Sequence, residues 1–138
     1  MNARTPKNWP TVIPRIVSED VEGVVQFIKR VFDAEGAFHA TRPAEMRIGD
    51  SIVMVSGIEP RDAFPAFLYV YVADVDSVYS KALAAGATSI EAPQLMPYGD
   101  RRAMVRDPWS NIWQIATYVS RSSMPIAINA ARIRANRA

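Results

Sequence analysis

The side chains that could carry out chemistry are few and are spread along the chain. His39 is the only histidine among 138 residues, and there is no cysteine. The absence of thiols rules out disulfides, thiolate catalysis and cysteine-based zinc sites. Ser18, Ser51 and Ser56 lack a nucleophile-elbow pattern, and the six glycines form no phosphate-binding loop. Molecular recognition is therefore a better expectation than covalent catalysis.

An aromatic strand offers the most suitable surface for recognition. Strand alternation places Phe67, Tyr69 and Tyr71 on one face, with apolar residues between them facing the other way. Aromatic walls with hydroxyl tips suit a small planar ligand. Arg15, on an earlier strand, could hold a carboxylate or an enolate, or stack on a ring. In the alternative interpretation, the aromatic side chains fill a collapsed core and Arg15 extends into solvent.

Four other residues each have a functional and a structural interpretation. His39 is either a ligand contact or general base, or a surface strand residue. Trp109 either caps a cavity or stabilises its turn. Asp100 and Arg101 form either a functional pair at a cavity rim or a structural ion pair.

The elements that must position these residues occur twice in the same order. In the first half, a strand at 12–17 precedes a helix at 21–32, and in the second half a strand at 67–72 precedes a helix at 75–85. Ser18 or Asp20 can cap the first helix, and Asp74-Val-Asp76 mirrors Asp20-Val-Glu22. Three strands are predicted to follow each helix. Those after the first helix lie at 35–42, 44–48 and 51–57, and those after the second helix lie at 89–92, 102–106 and 112–119.

Several ordered motifs resemble the vicinal oxygen chelate superfamily, which includes glyoxalase I, bleomycin-resistance proteins and extradiol dioxygenases. The motifs are Pro14–Asp20, Phe27–Ala34, Arg47–Ser51, Val72–Asp76, Ala85–Ala87 and Tyr98–Arg101 with Asp107-Pro108. They look most like the glyoxalase-like, demethylubiquinone-methyltransferase-like subgroup. The resemblance implies an α+β fold of two βαβββ modules, whose curled mixed sheets surround a central cavity with the helices on the outer face.

In metalloenzymes of that superfamily, four inward-facing side chains hold a divalent ion. The resemblance places those positions at Ile13, Met54, Phe67 and Gln114. Ile, Met and Phe offer none of the imidazole or carboxylate donors that such an ion requires. A histidine that the subgroup often carries is replaced here by Pro43. We therefore expect neither a metal site nor a cofactor.

Composition and charge limit the partners and the location. The hydrophobic fraction of 49% and charged fraction of 22% are typical of a soluble globular protein. We expect a single domain, with modules at about 10–60 and 64–120 and a basic tail at 121–138. The net charge of +2 is not clustered, so nucleic acid is not an expected partner. No apolar run suggests a membrane span or signal peptide, and a cytoplasmic location is expected.

The sequence therefore predicts a metal-independent protein that sequesters or carries an aromatic metabolite or antibiotic, and that forms a homodimer. The predicted cavity is lined by Arg15, Met54, Phe67, Tyr69, Tyr71 and Gln114, with His39 and Trp109 as further contacts. The alternative is a metal-independent lyase, isomerase or cyclase that uses His39, Arg15 or Asp100. A third interpretation is an accessory dimer with a vestigial cavity and a tail that binds a protein partner.

Overall fold

A computed structural model describes residues 4–121. Its elements, in chain order, are β1 (Arg15–Val17), α1 (Val21–Phe32), β2 (Ala44–Ile48), β3 (Ser51–Ser56), β4 (Phe67–Tyr71), α2 (Val75–Ala84), β5 (Thr88–Leu95), β6 (Asp100–Arg106) and β7 (Ile112–Tyr118). Neither helix is long and apolar enough to cross a membrane. The predicted tail lies outside the described residues, apart from Arg121.

The strands form two mixed sheets, which confirms the predicted α+β fold of two modules. The first sheet has the order β1-β3-β2, and the second has the order β4-β7-β6-β5. In each sheet the strand before the helix pairs in parallel with the last strand of the module, and the other pairings are antiparallel. Each helix packs on the sheet of its own module, and the two helices contact each other.

The strand predicted at 35–42 is wrong. Only one bridge, between Glu35 and Arg47, links this segment to the first sheet. The next residue, Gly36, has a φ of +141°, and a Cβ there would lie 2.5 Å from the carbonyl oxygen of Glu45. This conformation favours glycine and turns the chain out of the ladder. His39 therefore lies in a loop.

The start of β1 also differs from the prediction. The strand begins at Arg15, directly after Pro14, rather than at Val12. Proline has no N–H group to donate to a ladder, so it is found at strand ends rather than within them. Val12, which was predicted to lie within this strand, precedes it and is 76% exposed.

Two equivalent aspartates begin the two helices. The Asp20 carboxylate accepts a hydrogen bond from the Gly23 N–H at 2.9 Å, and the Asp74 carboxylate accepts one from the Ser77 N–H at 3.3 Å. Each carboxylate satisfies an N–H group that the helix itself leaves without an acceptor. The repeated aspartates in the sequence are thus paired N-caps, and Asp20 rather than Ser18 caps α1.

The turn between β6 and β7 is built around a buried carboxylate. Asp107 is 2% exposed and accepts hydrogen bonds from the backbone N–H groups of Trp109 and Asn111 at 3.0 and 2.9 Å. Its other oxygen accepts from the Asn111 amide and the Trp113 indole at 2.9 and 3.0 Å. The Trp113 ring is fully buried and packs 4.9 Å from the Phe32 ring. This turn therefore ties the second sheet to α1.

Replacing Asp107 with alanine should lower the free energy of unfolding by about 3 kcal/mol or more, because buried donors would lose their acceptor. Urea denaturation provides the measurement. Asp62→Ala, at an exposed position, is the matched control and should change stability by less than about 0.5 kcal/mol. Equal small losses in both variants would contradict the role assigned to this turn.

Candidate functional site

The face of the second sheet that lies away from the helices carries the aromatic residues. Phe67, Tyr69 and Tyr71 are 65%, 38% and 53% exposed. Strand register places Tyr69 beside Gln114 and Tyr71 beside Ala116. The same register brings Asp100, Arg102 and Met104 of β6 to this side. We call this surface the open face.

Asp100 lies at the centre of the polar contacts on the open face. Its carboxylate is fully buried. One oxygen accepts hydrogen bonds from the hydroxyls of Tyr69 and Tyr71 at 2.6 and 2.8 Å. The other accepts from the Arg121 guanidinium at 2.7 Å. Three donors from two segments of the chain, β4 and the residue Arg121 beyond β7, therefore surround one negative charge.

Asp100 and Arg101 do not form a pair. Successive strand residues point to opposite faces, so Arg101 lies on the helix side of the sheet. There it makes a two-pronged contact with the Asp76 carboxylate at 2.8 and 2.9 Å. Of the two sequence-based interpretations, the structure favours a structural ion pair, but with Asp76 as the partner.

The hydrogen bonds of this network have a definite direction. The single hydroxyl proton of Tyr69 is used toward Asp100, so the hydroxyl of Tyr98, 3.2 Å away, is the donor to the Tyr69 oxygen. Arg102 in turn donates to the Tyr98 oxygen at 3.2 Å. Arg121 donates to the Tyr71 oxygen at 2.8 Å. Donation therefore runs from the two arginines through the tyrosines and ends at Asp100.

The network fixes the charge states of its members. Burial, followed by the hydrogen bonds to Asp100, raises the pKa of Tyr69 far above its ordinary value, and the same causes raise the pKa of Tyr71. Burial alone would raise the pKa of Asp100. The hydrogen bonds from Arg121, Tyr69 and Tyr71 outweigh burial and hold that pKa below its usual range. At neutral pH the carboxylate is charged and both phenols are neutral.

This arrangement orients rings better than it transfers protons. A neutral phenol whose proton is already donated cannot act as a base, and the enclosed Asp100 carboxylate already accepts three hydrogen bonds. The rings of Tyr69 and Tyr71 lie 5.4 Å apart, tilted at 58°. The network of Tyr69, Tyr71 and Asp100 therefore presents aromatic ring surface and no free base.

A groove of about 380 Å³ runs along the edge of β4. Tyr69 and Tyr71 form part of one side, and the β2–β3 hairpin with the residues before β1 forms the other. β4 is an edge strand, hydrogen-bonded to β7 alone among the described strands. Most of the groove wall is apolar, and Val12 and Pro14 belong to it.

The remaining predicted ligand residues lie elsewhere. Arg15 and His39 line a second cavity, of about 400 Å³, against the first sheet. Met54 lies beside Arg15, and its sulfur accepts a hydrogen bond from the guanidinium at 3.4 Å. Trp109 lines neither cavity. Its ring packs edge-on to Phe27 at 6.3 Å, and its indole donates to Asp20 at 3.2 Å. The described chain therefore does not assemble the single cavity that the sequence predicted.

The four positions implied for a metal do not fit a divalent ion. The resemblance implies Ile13, Met54, Phe67 and Gln114 for these positions, and the neighbours that register places beside Met54 and Gln114 are Arg15 and Tyr69. Neither set contains a histidine or a carboxylate. Within residues 4–121, no group of three or more His, Cys, Asp or Glu side chains is placed to hold a metal. The donors needed for such a centre are missing from these positions.

Comparison with known proteins agrees with this architecture. The sequence model of the glyoxalase/bleomycin resistance protein/dioxygenase superfamily matches residues 14–115. An uncharacterized protein of Mycobacterium bovis is 27% identical over 133 residues, covering 83% of this chain and 88% of that protein.

Solved structures share the fold at lower identity. TioX from Micromonospora sp. ML1 superposes with a TM-score of 0.69 at 24% identity, covering 80% of this chain and 99% of TioX. A glyoxalase/bleomycin resistance protein/dioxygenase family enzyme from Burkholderia phytofirmans PsJN also gives 0.69, at 22% identity, with coverages of 78% and 97%. At these identities the likeness concerns the fold alone.

The low pKa of Asp100 predicts a pH dependence of stability. A carboxylate whose folded-state pKa is depressed stabilises the fold above its unfolded pKa of about 3.9, and this contribution is lost as pH falls through the folded value. Asp100→Asn should cost about 2 kcal/mol at pH 7, and the difference from wild type should shrink toward pH 2.5. Urea denaturation across this range measures the difference. A constant difference would contradict the assignment, and Asp62→Asn serves as the exposed control.

Proposed function

We propose that this chain, which belongs to the glyoxalase/bleomycin resistance protein/dioxygenase superfamily, is a metal-independent binding protein for a small aromatic molecule. It would sequester or carry a planar metabolite or antibiotic rather than transform it. The observation that supports this most strongly is the exposed aromatic surface of Phe67, Tyr69 and Tyr71, together with the hydrogen bonds to buried Asp100 that fix two of the three rings.

Preorganisation is the main physical argument for binding. Side chains that must be ordered by a ligand reduce its affinity, whereas rings held in place beforehand do not incur that cost. The hydroxyls of Tyr69 and Tyr71 are anchored to Asp100, so the rings stand ready without a ligand. The adjoining groove of about 380 Å³ lies within the size range of small-molecule sites.

Gln114 provides a polar group beside the rings. It is the register neighbour of Tyr69, and its amide has no hydrogen-bond partner within the described residues. A side-chain amide offers both donors and an acceptor, so it can orient a ligand that stacks on the neighbouring aromatic surface. We therefore assign stacking to the rings and orientation to Gln114.

The enzymatic alternative has less support. A lyase, isomerase or cyclase needs a proton acceptor at the ligand. Asp100 is enclosed by its three donors, and His39 and Arg15 line the other cavity. Metal independence rests on the donor chemistry of Arg15, Met54, Tyr69 and Gln114, none of which is a histidine or a carboxylate.

We also propose that the protein is a homodimer. Several large apolar side chains are more than half exposed: Val12, Phe64, Phe67, Tyr71, Leu95, Tyr118 and Val119. Of these, Phe67, Tyr71 and Tyr118 share the open face, and an exposed apolar patch marks an association site. A second copy would cover part of this surface.

Binding can be tested by thermal-shift titration of the chelator-treated protein with planar aromatic metabolites and antibiotics. Phe67→Ala and Tyr69→Ala should each weaken a binding compound by about fivefold to tenfold, because a stacking contact is lost. Leu83→Ala, on α2, is the control and should bind as wild type does. Equal affinity in all three variants would remove the open face from the site.

Titration with Ni, Co, Mn, Fe and Zn ions should give no saturating rise in melting temperature, and a rise at about one ion per chain would refute metal independence.

Light scattering after size exclusion should give about twice the chain mass of 15.3 kDa at tens of micromolar protein. The exposed apolar side chains supply the expected driving force. A mass of one chain at that concentration would contradict the dimer. This outcome is independent of the ligand titration.

A further inference from the structure

The cavity against the first sheet, which we call the first-sheet cavity, is strongly basic. It has a volume of about 400 Å³ and lies between β1, β3 and the loops at 38–43 and 57–61. Arg15, Arg42 and Arg61 line it, together with one carboxylate, that of Glu59. The lining therefore has two positive charges in excess when His39 is neutral.

The three arginines of this cavity have no acidic partner within residues 4–121. Arg15 contacts only the sulfur of Met54, at 3.4 Å, and Arg42 contacts the ring nitrogen Nε2 of His39 at 3.3 Å. Arg61 makes no hydrogen bond or ion pair with the described residues. By contrast, three arginines in or directly after the second module bond carboxylates: Arg101, Arg102 and Arg121. None of the three arginines of the first-sheet cavity therefore forms an ion pair with a carboxylate in this part of the chain.

A buried hydroxyl supplies an independent observation. Ser56, at the end of β3, is 8% exposed, and its Oγ is buried without a hydrogen-bond partner in the described chain. It lines the same cavity. A buried polar group that lacks a partner destabilises a fold, and such groups commonly mark a place where a ligand or an ion completes the bonding.

The contact between Arg42 and His39 adds a further donor. A guanidinium only donates hydrogen bonds, so Nε2 of a neutral His39 is the acceptor and the ring proton is assigned to Nδ1. The cavity lining thus combines guanidinium, imidazole and hydroxyl donors with a net positive charge. These groups match an oxyanion with several acceptor oxygens.

We propose that the first-sheet cavity binds the phosphate group of a small phosphomonoester. The excess of two positive charges matches a phosphate group, which carries a charge of about −1.5 to −2 at pH 7, better than a carboxylate of charge −1. Guanidinium pairs phosphate oxygens in a two-pronged geometry, and the Ser56 hydroxyl gains its missing acceptor. This site is separate from the open face and does not depend on aromatic binding there.

Inorganic phosphate is the probe for the first experiment. Titration of the isotope-labelled full chain, followed by ¹H–¹⁵N NMR at constant ionic strength, should give saturating shifts concentrated at 38–43 and 55–61. Sodium acetate at the same ionic strength should give much weaker shifts there. Shifts of equal size with acetate, or shifts without saturation, would overturn the proposal.

Single substitutions then identify the donors. Arg42→Gln and Arg61→Gln should each weaken phosphate binding by about tenfold, since each removes a charge-assisted contact. Arg30→Gln, at an exposed position on α1, lowers the net charge of the protein by the same amount and should bind phosphate as wild type does. If phosphate binding is weakened equally in all three variants, the effect comes from the overall charge of the protein, and the proposed site is refuted.

Ser56→Ala separates a ligand role from a structural role. It should weaken phosphate binding while leaving the melting temperature unchanged or higher, because the hydroxyl has no partner to lose. A lower melting temperature with unchanged phosphate affinity would overturn the assignment of Ser56. Tyr69→Ala should leave phosphate binding unaltered. A failure to bind phosphate would therefore not count against the aromatic site, and a failure to bind aromatic compounds would not count against the phosphate site.

Discussion

The buried negative charge of Asp100 is the constraint on which the second module depends. A carboxylate without water must be surrounded by donors, and here those donors come from β4 and from Arg121, beyond β7. Satisfying this one group fixes the tyrosines of the edge strand and holds Arg121, the last described residue, against the sheet. The exposed ring surface is thus a consequence of an interaction beneath it.

β6 connects this constraint with a second one at its other end. Asp100 is the first residue of the strand, and Asp107 follows its last residue. Asp100 gathers its donors on the open face, whereas Asp107 binds the turn and the Trp113 indole on the helix side. One strand therefore joins two polar centres, of which one shapes the aromatic surface and the other secures the core. The arginines of the first-sheet cavity have no comparable acidic counterpart within the described residues.

Most of the fold could be predicted because it follows from local patterns. The caps at Asp20 and Asp74 and the alternation of β4 are visible within a few residues. The missing strand in the first module depends on the backbone at Gly36, which a propensity argument does not reveal. In the site, the pairing of Asp100 with Arg101 was wrong, although alternation along β6 was enough to separate them. The partnership with Arg121 spans 21 residues and has no sequence signal. The grouping of Arg15 with Arg42 and Arg61 likewise depends on how two loops fold against the first sheet.

The inward-pointing phenol groups have a consequence for how such a protein can diverge. The hydroxyls of Tyr69 and Tyr71 bond the buried Asp100 carboxylate, and their rings form part of the exposed surface. Substitution by phenylalanine would keep the ring surface but remove a hydrogen-bond donor from the buried charge. Within the described residues, neither Phe67 nor Gln114 donates a hydrogen bond to a buried group. Substitutions that change the ligand are therefore least costly to stability at positions 67 and 114. Positions 69 and 71 are constrained because their hydroxyls stabilise the buried carboxylate.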